Sequence, residues 1–326
     1  MHNTPEPAAV CLGLDISKAR LDACLLAAGK LHHARFDNTP DGLAALRAWC
    51  AKLGQPSPLT VLEATGRYGQ LAAETLHATG HPVHIANPRR VKDHARSLGR
   101  RNKTDRIDAA LIAHFGTTRP LPLWQPAPAA QATLGLLQRR VADLHTLIQS
   151  ERNRLESAAS NDIKKSIRRI LRALEKELAT LEKQATTLIA TEPALGADIG
   201  RLCAVEGIGE RTARWLVAEV PRHLPNARAA AAWLAVTPRV QQSGCSIRHT
   251  SPIGTEGNRH LRRALFMAAM VARRHNPRFK TFADRLAASG KSKMSVLFAV
   301  LHKLFKTAFA LLKNQSSYDP LHLSKN

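Results

Sequence analysis

Aromatic side chains are scarce in this chain: Phe, Trp and Tyr make up 4% of it, with only two tyrosines. A surface that grips nucleic acid by stacking bases needs aromatic platforms. Any such recognition here must rely on charge and backbone contact instead. The five cysteines (Cys11, Cys24, Cys50, Cys203, Cys245) are odd in number and scattered, with no C-x-x-C pair. That excludes a disulfide framework and a thiolate zinc site, and it fits a reduced cytoplasm. No apolar run approaches the roughly 20 residues of a transmembrane helix. The N-terminus, MHNTPEPAAV, has neither a basic flank nor a long apolar core, so no signal peptide is expected. Acids are in short supply too. The 25 Asp and Glu against 48 Lys and Arg leave a formal net charge of +23. That excess predicts a polyanionic partner. Nucleic acid comes first, because cations set on phosphates release counterions, and a membrane surface second. The 326 residues suffice for two or three domains.

The few acids fall in informative places. An apolar run at 8–15, AAVCLGLD, reads as a buried strand ending in Asp15. Strands at 21–26 and 31–36, parted by AAGK, extend it into an antiparallel meander. Leu43, Leu46 and Trp49 mark a helix, and LTVLE is a strand ending in Glu63. A helix over 68–78, a strand over 82–86 and a basic helix opened by Asn87-Pro88 follow. The order is β-β-β-α-β-α-β-α-α, and in α/β folds function sits at the carboxyl ends of strands. Next comes RRNKTDRID at 100–108. Thr104 is the expected N-cap, which puts Asp105 and Asp108 on one helix face. Neighbouring carboxylates repel, and a hard divalent cation such as Mg²⁺ relieves them. The competing reading is a solvated helix start, where acids suit the helix dipole. The pair alone favours that second reading; two strand-end acids with the pair favour a metal site.

Residues 89–106 hold eight Lys or Arg against two Asp. Of these, Arg89, Arg90, Lys92, Arg96, Arg100, Arg101 and Lys103 are expected to track phosphates beside the acids. Prolines at 120, 122, 126 and 128 mark a linker. Beyond it, Leu137, Val141, Leu144, Ile148 and Leu155, then Ile167, Leu171, Leu174, Leu178, Leu181, Ala185 and Leu188, keep a heptad rhythm. Such a seam closes either within one chain or between two, and the reading leans to dimerisation. VEGIGERTA at 205–213 has the form of a helix-hairpin-helix turn, with Gly207 and Gly209 letting backbone approach a phosphate. The polar stretch QQSGCSIRHTSPIGTEGN holds Ser243 and, five residues on, Arg248. An exposed serine can attack a phosphodiester when a cation offsets the developing charge. The residues alone do not single it out among several loop serines. From 259 to 306, twelve Lys or Arg, Arg262 among them, face one acid, which suggests a further nucleic-acid surface.

The motifs GLDISK, LEATG and RNKTDRIDA together resemble the DEDD transposases of bacterial insertion sequences, and within them the one-ten insertion-sequence family. TPRVQQSGCSIR is similar to that family's T-P-x-x-x-x-S-G segment, and Gly257-Asn258, Leu261 and Arg262 match a later element. The resemblance implies a RuvC-like, ribonuclease H-type α/β domain over 1–125, a coiled-coil insert over 126–192 and a helical domain over 193–326. It implies that Asp15, Glu63, Asp105 and Asp108 are catalytic and hold one or two Mg²⁺, and that Ser243 is the nucleophile. Ser246 is a nearby rival. It further implies DNA as substrate, a structured non-coding bridge RNA as guide, and a dimer or tetramer whose protomers share sites. Two alternatives stay open. One is a metal-only junction-resolving nuclease; the other is a nucleic-acid-binding protein without catalysis.

Overall fold

The computed structural model describes residues 8–64, 66–99, 104–237, 239–243, 247–251 and 257–319; of 67 and of the two strands within 239–251 it describes the backbone alone. Arg100, Arg101, Lys103, Cys245 and Ser246 lie outside the described residues. The chain divides into two units, 1–126 and 127–326.

The first unit is built on a five-stranded sheet. Its strands are β1 (Cys11–Ile16), β2 (Arg20–Ala27), β3 (Lys30–Asp37), β4 (Leu59–Glu63) and β5 (Val83–Ala86), in the order β3-β2-β1-β4-β5. The β1–β2–β3 meander is antiparallel, and β4 and β5 run parallel to β1. This mixed sheet is consistent with a ribonuclease H-like domain. Helix α1 (Pro40–Lys52) starts where Thr39 accepts from the Gly42 amide, and α2 (Gln70–Ala78) follows a 3-10 turn at Gly66–Gly69. Both pack on the face formed by Leu12, Leu14 and Ile16. The alternation of a strand sends Cys11, Gly13 and Asp15 to the other face. There lie α3 (Pro88–Ser97), capped by Asn87, and α4 (Asp105–Thr117), capped by Thr104, whose hydroxyl accepts from the Ile107 amide at 3.3 Å.

Helix α4 lies almost on the sheet backbone. A Cβ at Gly13 would stand 2.3 Å from the Ala109 carbonyl oxygen and the Ala113 nitrogen. One at Gly116 would meet Cys11 Sγ at 2.2 Å. Only glycines allow this approach, and they set the helix running antiparallel to β1.

Part of the proline-rich stretch packs onto the sheet before the unit boundary at 126. The His84 ring donates from Nδ1 to the Pro122 carbonyl at 2.7 Å, and the Trp124 amide donates to the Val83 carbonyl at 2.6 Å. Residues 122–124 therefore cover edge strand β5, which leaves fewer unpaired backbone groups there.

In the second unit, α5 (Ala129–Ser157) and α6 (Asn161–Thr191) turn back on each other. Ile148, Ile167 and Leu171 are buried between them, with Leu155, Leu174 and Leu178 packed alongside. Part of the heptad seam is thus closed within one chain. A short connection makes the chain's own next helix the nearest partner, and Leu174, Leu178 and Leu181 stay half-buried along the seam. Helices α7 (Pro193–Cys203), α8 (Glu210–Glu219), α9 (Ala227–Trp233), α10 (Arg259–His275), α11 (Pro277–Ala288) and α12 (Lys293–Asn314) build the main core. By length and mean hydropathy α12 would suffice to cross a membrane, contrary to the sequence expectation. Its Val296, Val300, Leu304, Phe305 and Ala308 are instead buried among the other helices. The segment read as a polar loop contains a hairpin of β6 (Arg239–Ser243) and β7 (Ile247–Ser251).

A carboxylate on α8 ties that helix to α5 and to the start of α10. Glu219, 9% exposed, accepts from Arg139 Nε and from Asn258 Nδ2, both at 2.8 Å. The Asn258 side-chain Oδ1 accepts from the His260 and Leu261 amides in the first turn of α10. Replacing Asn258 with Ala removes a cap and leaves Glu219 short of a donor. The expected loss is about 1–2 kcal/mol of stability, read by chemical denaturation.

Candidate active site

The four acids come from three elements at one end of the sheet. Leu14 pairs with Leu62 in the parallel register, so the next residues, Asp15 and Glu63, sit side by side at the carboxyl ends of β1 and β4. Parallel neighbours in register are roughly 5 Å apart and point to the same face. Helix α4 covers that face with Gly116 over Cys11 and the Ala109–Ala113 turn over Gly13. One turn further toward its start, Asp108 and Asp105 are carried to the Asp15 end. Asp15, Glu63 and Asp108 are half-buried, and Asp105 is exposed.

A fifth acid was missed by sequence reasoning. Asp22 faces Asp15 directly across the β1–β2 ladder. Like charges in that position destabilise a sheet. Arg35, its cross-strand partner on β3, offsets the charge with an ion pair of 2.7 Å to Asp22. The same guanidinium reaches Asp105 at 3.7 Å. The available signal was parity: Asp22 and Cys24 alternate with Leu21, Ala23 and Leu25, so Asp22 shares a face with the strand-end acids.

The donor chemistry is that of a hard oxygen site. Burial pushes the Cys11 thiol up to about 12, with neighbouring Cys24 adding to the rise. Burial likewise lifts Cys24 to about 11, against a lowering by Arg106. Both thiols stay protonated at neutral pH and offer no thiolate to a soft metal. Carboxylate oxygens remain, and these suit Mg²⁺. Among the described residues, no three His, Cys, Asp or Glu side chains are gathered tightly enough to hold an ion as placed. The register brings Asp15 and Glu63 together, and the four carboxylates do not converge as placed. Mutual repulsion keeps carboxylates apart until a cation offsets it.

Two transposase family models match the chain. A DEDD transposase model of the IS110 group covers residues 12–161, and the "Transposase IS116/IS110/IS902 family" model covers 200–284. The pilin gene-inverting protein of Moraxella bovis is 33% identical over 314 residues, spanning 94% of this chain and 97% of that one. The chain belongs to the IS110 family of transposases.

The Moraxella lacunata pilin gene-inverting protein gives the same figures. The insertion element IS110 43.6 kDa protein of Streptomyces coelicolor is 27% identical over 213 residues, 64% of this chain and 50% of its own length. Membership makes this transposase a DNA recombinase, and the first matched segment holds all four acids. The second holds Ser243, which ends β6 opposite Ile247, at the tip of the hairpin. The acids and Ser243 belong to different units.

The remaining residues divide. Arg89, Arg90, Lys92 and Arg96 are exposed on α3, with Asp93 near Arg89 at 3.9 Å and Arg96 at 3.4 Å. Arg248 falls within β7, and Arg262 is half-buried on α10. Gly207 has a packing explanation: its φ is +108°, and a Cβ there would stand 2.6 Å from the Ala272 Cβ. Gly209 faces open space at the start of α8, where amides are available to an anion.

Proposed function

We propose that this IS110-family transposase cuts and rejoins DNA at a site where Asp15, Glu63, Asp105 and Asp108 hold one or two Mg²⁺ ions. The observation carrying this reading is the parallel register that sets Asp15 beside Glu63 under the first turn of α4. Bound there, the metal would polarise the scissile phosphate. Asp105 would turn away from Arg35 to join the cluster. The exposed cations of α3 would hold the strand against it. We further propose that Ser243 attacks the phosphate, breaking the phosphodiester, forming a phosphoserine bond and releasing the leaving strand's hydroxyl. Its place at a hairpin tip and its T-P-x-x-x-x-S-G context support this. The partition at 125 and 192 would then separate the acid-bearing domain, the helical hairpin and the serine-bearing domain. Because the hydroxyl and the acids lie in different units, they could be contributed by different protomers of a dimer or tetramer. A structured RNA would supply sequence by pairing, as a chain with few aromatics and a large positive charge suits. DNA inversion, which the names of the Moraxella proteins specify, is the outcome we assign to it.

The carboxylate end of the sheet favours a second reading, in which metal-activated water attacks and Ser243 only binds backbone. Denaturing gels of quenched reactions separate the two. A protein–DNA adduct present in the wild type and absent in Ser243→Ala supports the serine. Free ends, still produced by Ser243→Ala, would sink it. Adduct loss in Ser246→Ala alone would move the role to that residue.

A further inference from the structure

A cavity of about 250 Å³ opens beside the acids, toward edge strand β3. It is lined by Asp22, Ala23, His33, Ala34, Arg35 and Arg106. Asp22 is matched by the Nε of Arg35, so its charge is already offset. Arg106, exposed on the first turn of α4, has no ion-pair partner among the described residues. With Asp105 also 3.7 Å from Arg35, two guanidinium groups face two carboxylates here, and Arg106 is the one left without an acid of its own among the described residues. The His33 Nδ1 is buried and without a partner, while its Nε2 stands 3.8 Å from the Cys24 thiol. Burial lowers the His33 pKa, with Arg106 and His32 adding to the effect. In the tautomer that accepts from the thiol at Nε2, the proton sits on Nδ1, a donor with no acceptor among the described residues.

Position gives this cavity a purpose. Asp22 pairs with Asp15 and Arg35 pairs with Asp22, so the cavity begins one strand spacing from Asp15 and its Arg35 stands two away, roughly 10 Å. A nucleic-acid strand with one phosphate at the carboxylates would lay a neighbouring phosphate near the two guanidinium groups. Arg is suited to that role, because its planar fork meets phosphate oxygens in pairs.

We propose that this cavity is a phosphate subsite, in which Arg106 and Arg35 seat a backbone phosphate flanking the one cut, on the same DNA strand. The proposal rests on the acids being the cutting site. The experiment uses the full chain in EDTA, with a fluorescein-labelled single-stranded DNA of mixed sequence, and follows anisotropy across a salt series. Arg106→Gln is expected to weaken binding roughly threefold to tenfold. It should also flatten the slope of log K against log salt by about 0.7, the value for one phosphate contact on a single strand. Arg47→Gln removes the same charge from α1, on the opposite face of the sheet, and is expected to leave the slope unchanged. Equal affinity and slope for Arg106→Gln and wild type would overturn the subsite, as would an equal loss in Arg47→Gln. A loss confined to a matched RNA strand would overturn its assignment to DNA. Binding in EDTA needs no strand breakage, so failure here leaves the metal site standing, and failure of the metal site shows only when Mg²⁺ is added.

Discussion

Asp15→Asn is expected to abolish metal-dependent strand breakage, a loss of roughly a hundredfold or more, in a chain that stays folded. Asn keeps the volume and one oxygen of Asp but loses the charge that attracts a cation. Asp15 is half-buried at the end of β1, not packed in the apolar core, so the exchange costs little stability. It removes a like charge facing Asp22 across the ladder, which is mildly favourable. Unchanged or raised thermal stability with lost activity is the signature of a residue kept for chemistry. Glu63→Gln is expected to behave the same way, since Glu63 is its neighbour in register. The two losses should not add, because removing either carboxylate dismantles one site. Cleavage measured against Mg²⁺ concentration, with calorimetric Mn²⁺ binding beside it, checks this. Full activity in Asp15→Asn at low Mg²⁺ would remove the metal site from the account.

Gly13→Ala carries the second large effect, and here stability and activity fall together. The added Cβ would stand 2.3 Å from two backbone atoms of α4 and 2.9 Å from a third. Backbone cannot swing aside as the end of a long side chain can, so the helix must lift or the strand must bend. Overpacking of this kind costs about 1–3 kcal/mol or more. Helix α4 carries Asp105 and Asp108, so lifting it also moves half of the acid set away from Asp15 and Glu63. The expected result is a fall in melting temperature of several degrees with at least a tenfold loss of cleavage. Gly200→Ala is the control. That glycine lies inside α7 with nothing near its missing Cβ, and Ala there should be neutral or slightly stabilising. An undisturbed Gly13→Ala would mean that α4 does not seat on the sheet as described.

Much of the first unit was legible because its signals are local. Apolar strands ending in acids, Asn87 before a proline and Thr104 before a periodic run each report their own neighbourhood. The order of elements through α4, the caps and both strand-end acids emerged from such signals. The heptad positions of α5 and α6 were legible in the same way, since a buried stripe leaves a period in the chain. What that stripe packs against is not a local property. A heptad reads alike whether the facing helix belongs to the same chain or another, and only the folded structure showed α5 and α6 closing on each other.

By itself, the sequence determined the family, the list of strand-end and helix-start acids, and an excess of positive charge that requires a polyanion. Tertiary structure alone decided that Asp15 and Glu63 share a register, that Asp22 stands opposite Asp15 with Arg35 to offset it, and that residues 122–124 cover β5. It also decided why Gly13 is glycine. Each of these depends on pairing between residues distant in the chain. Strand register and helix-to-sheet distance are set by the sum of many weak contacts, and no short stretch of residues encodes that sum.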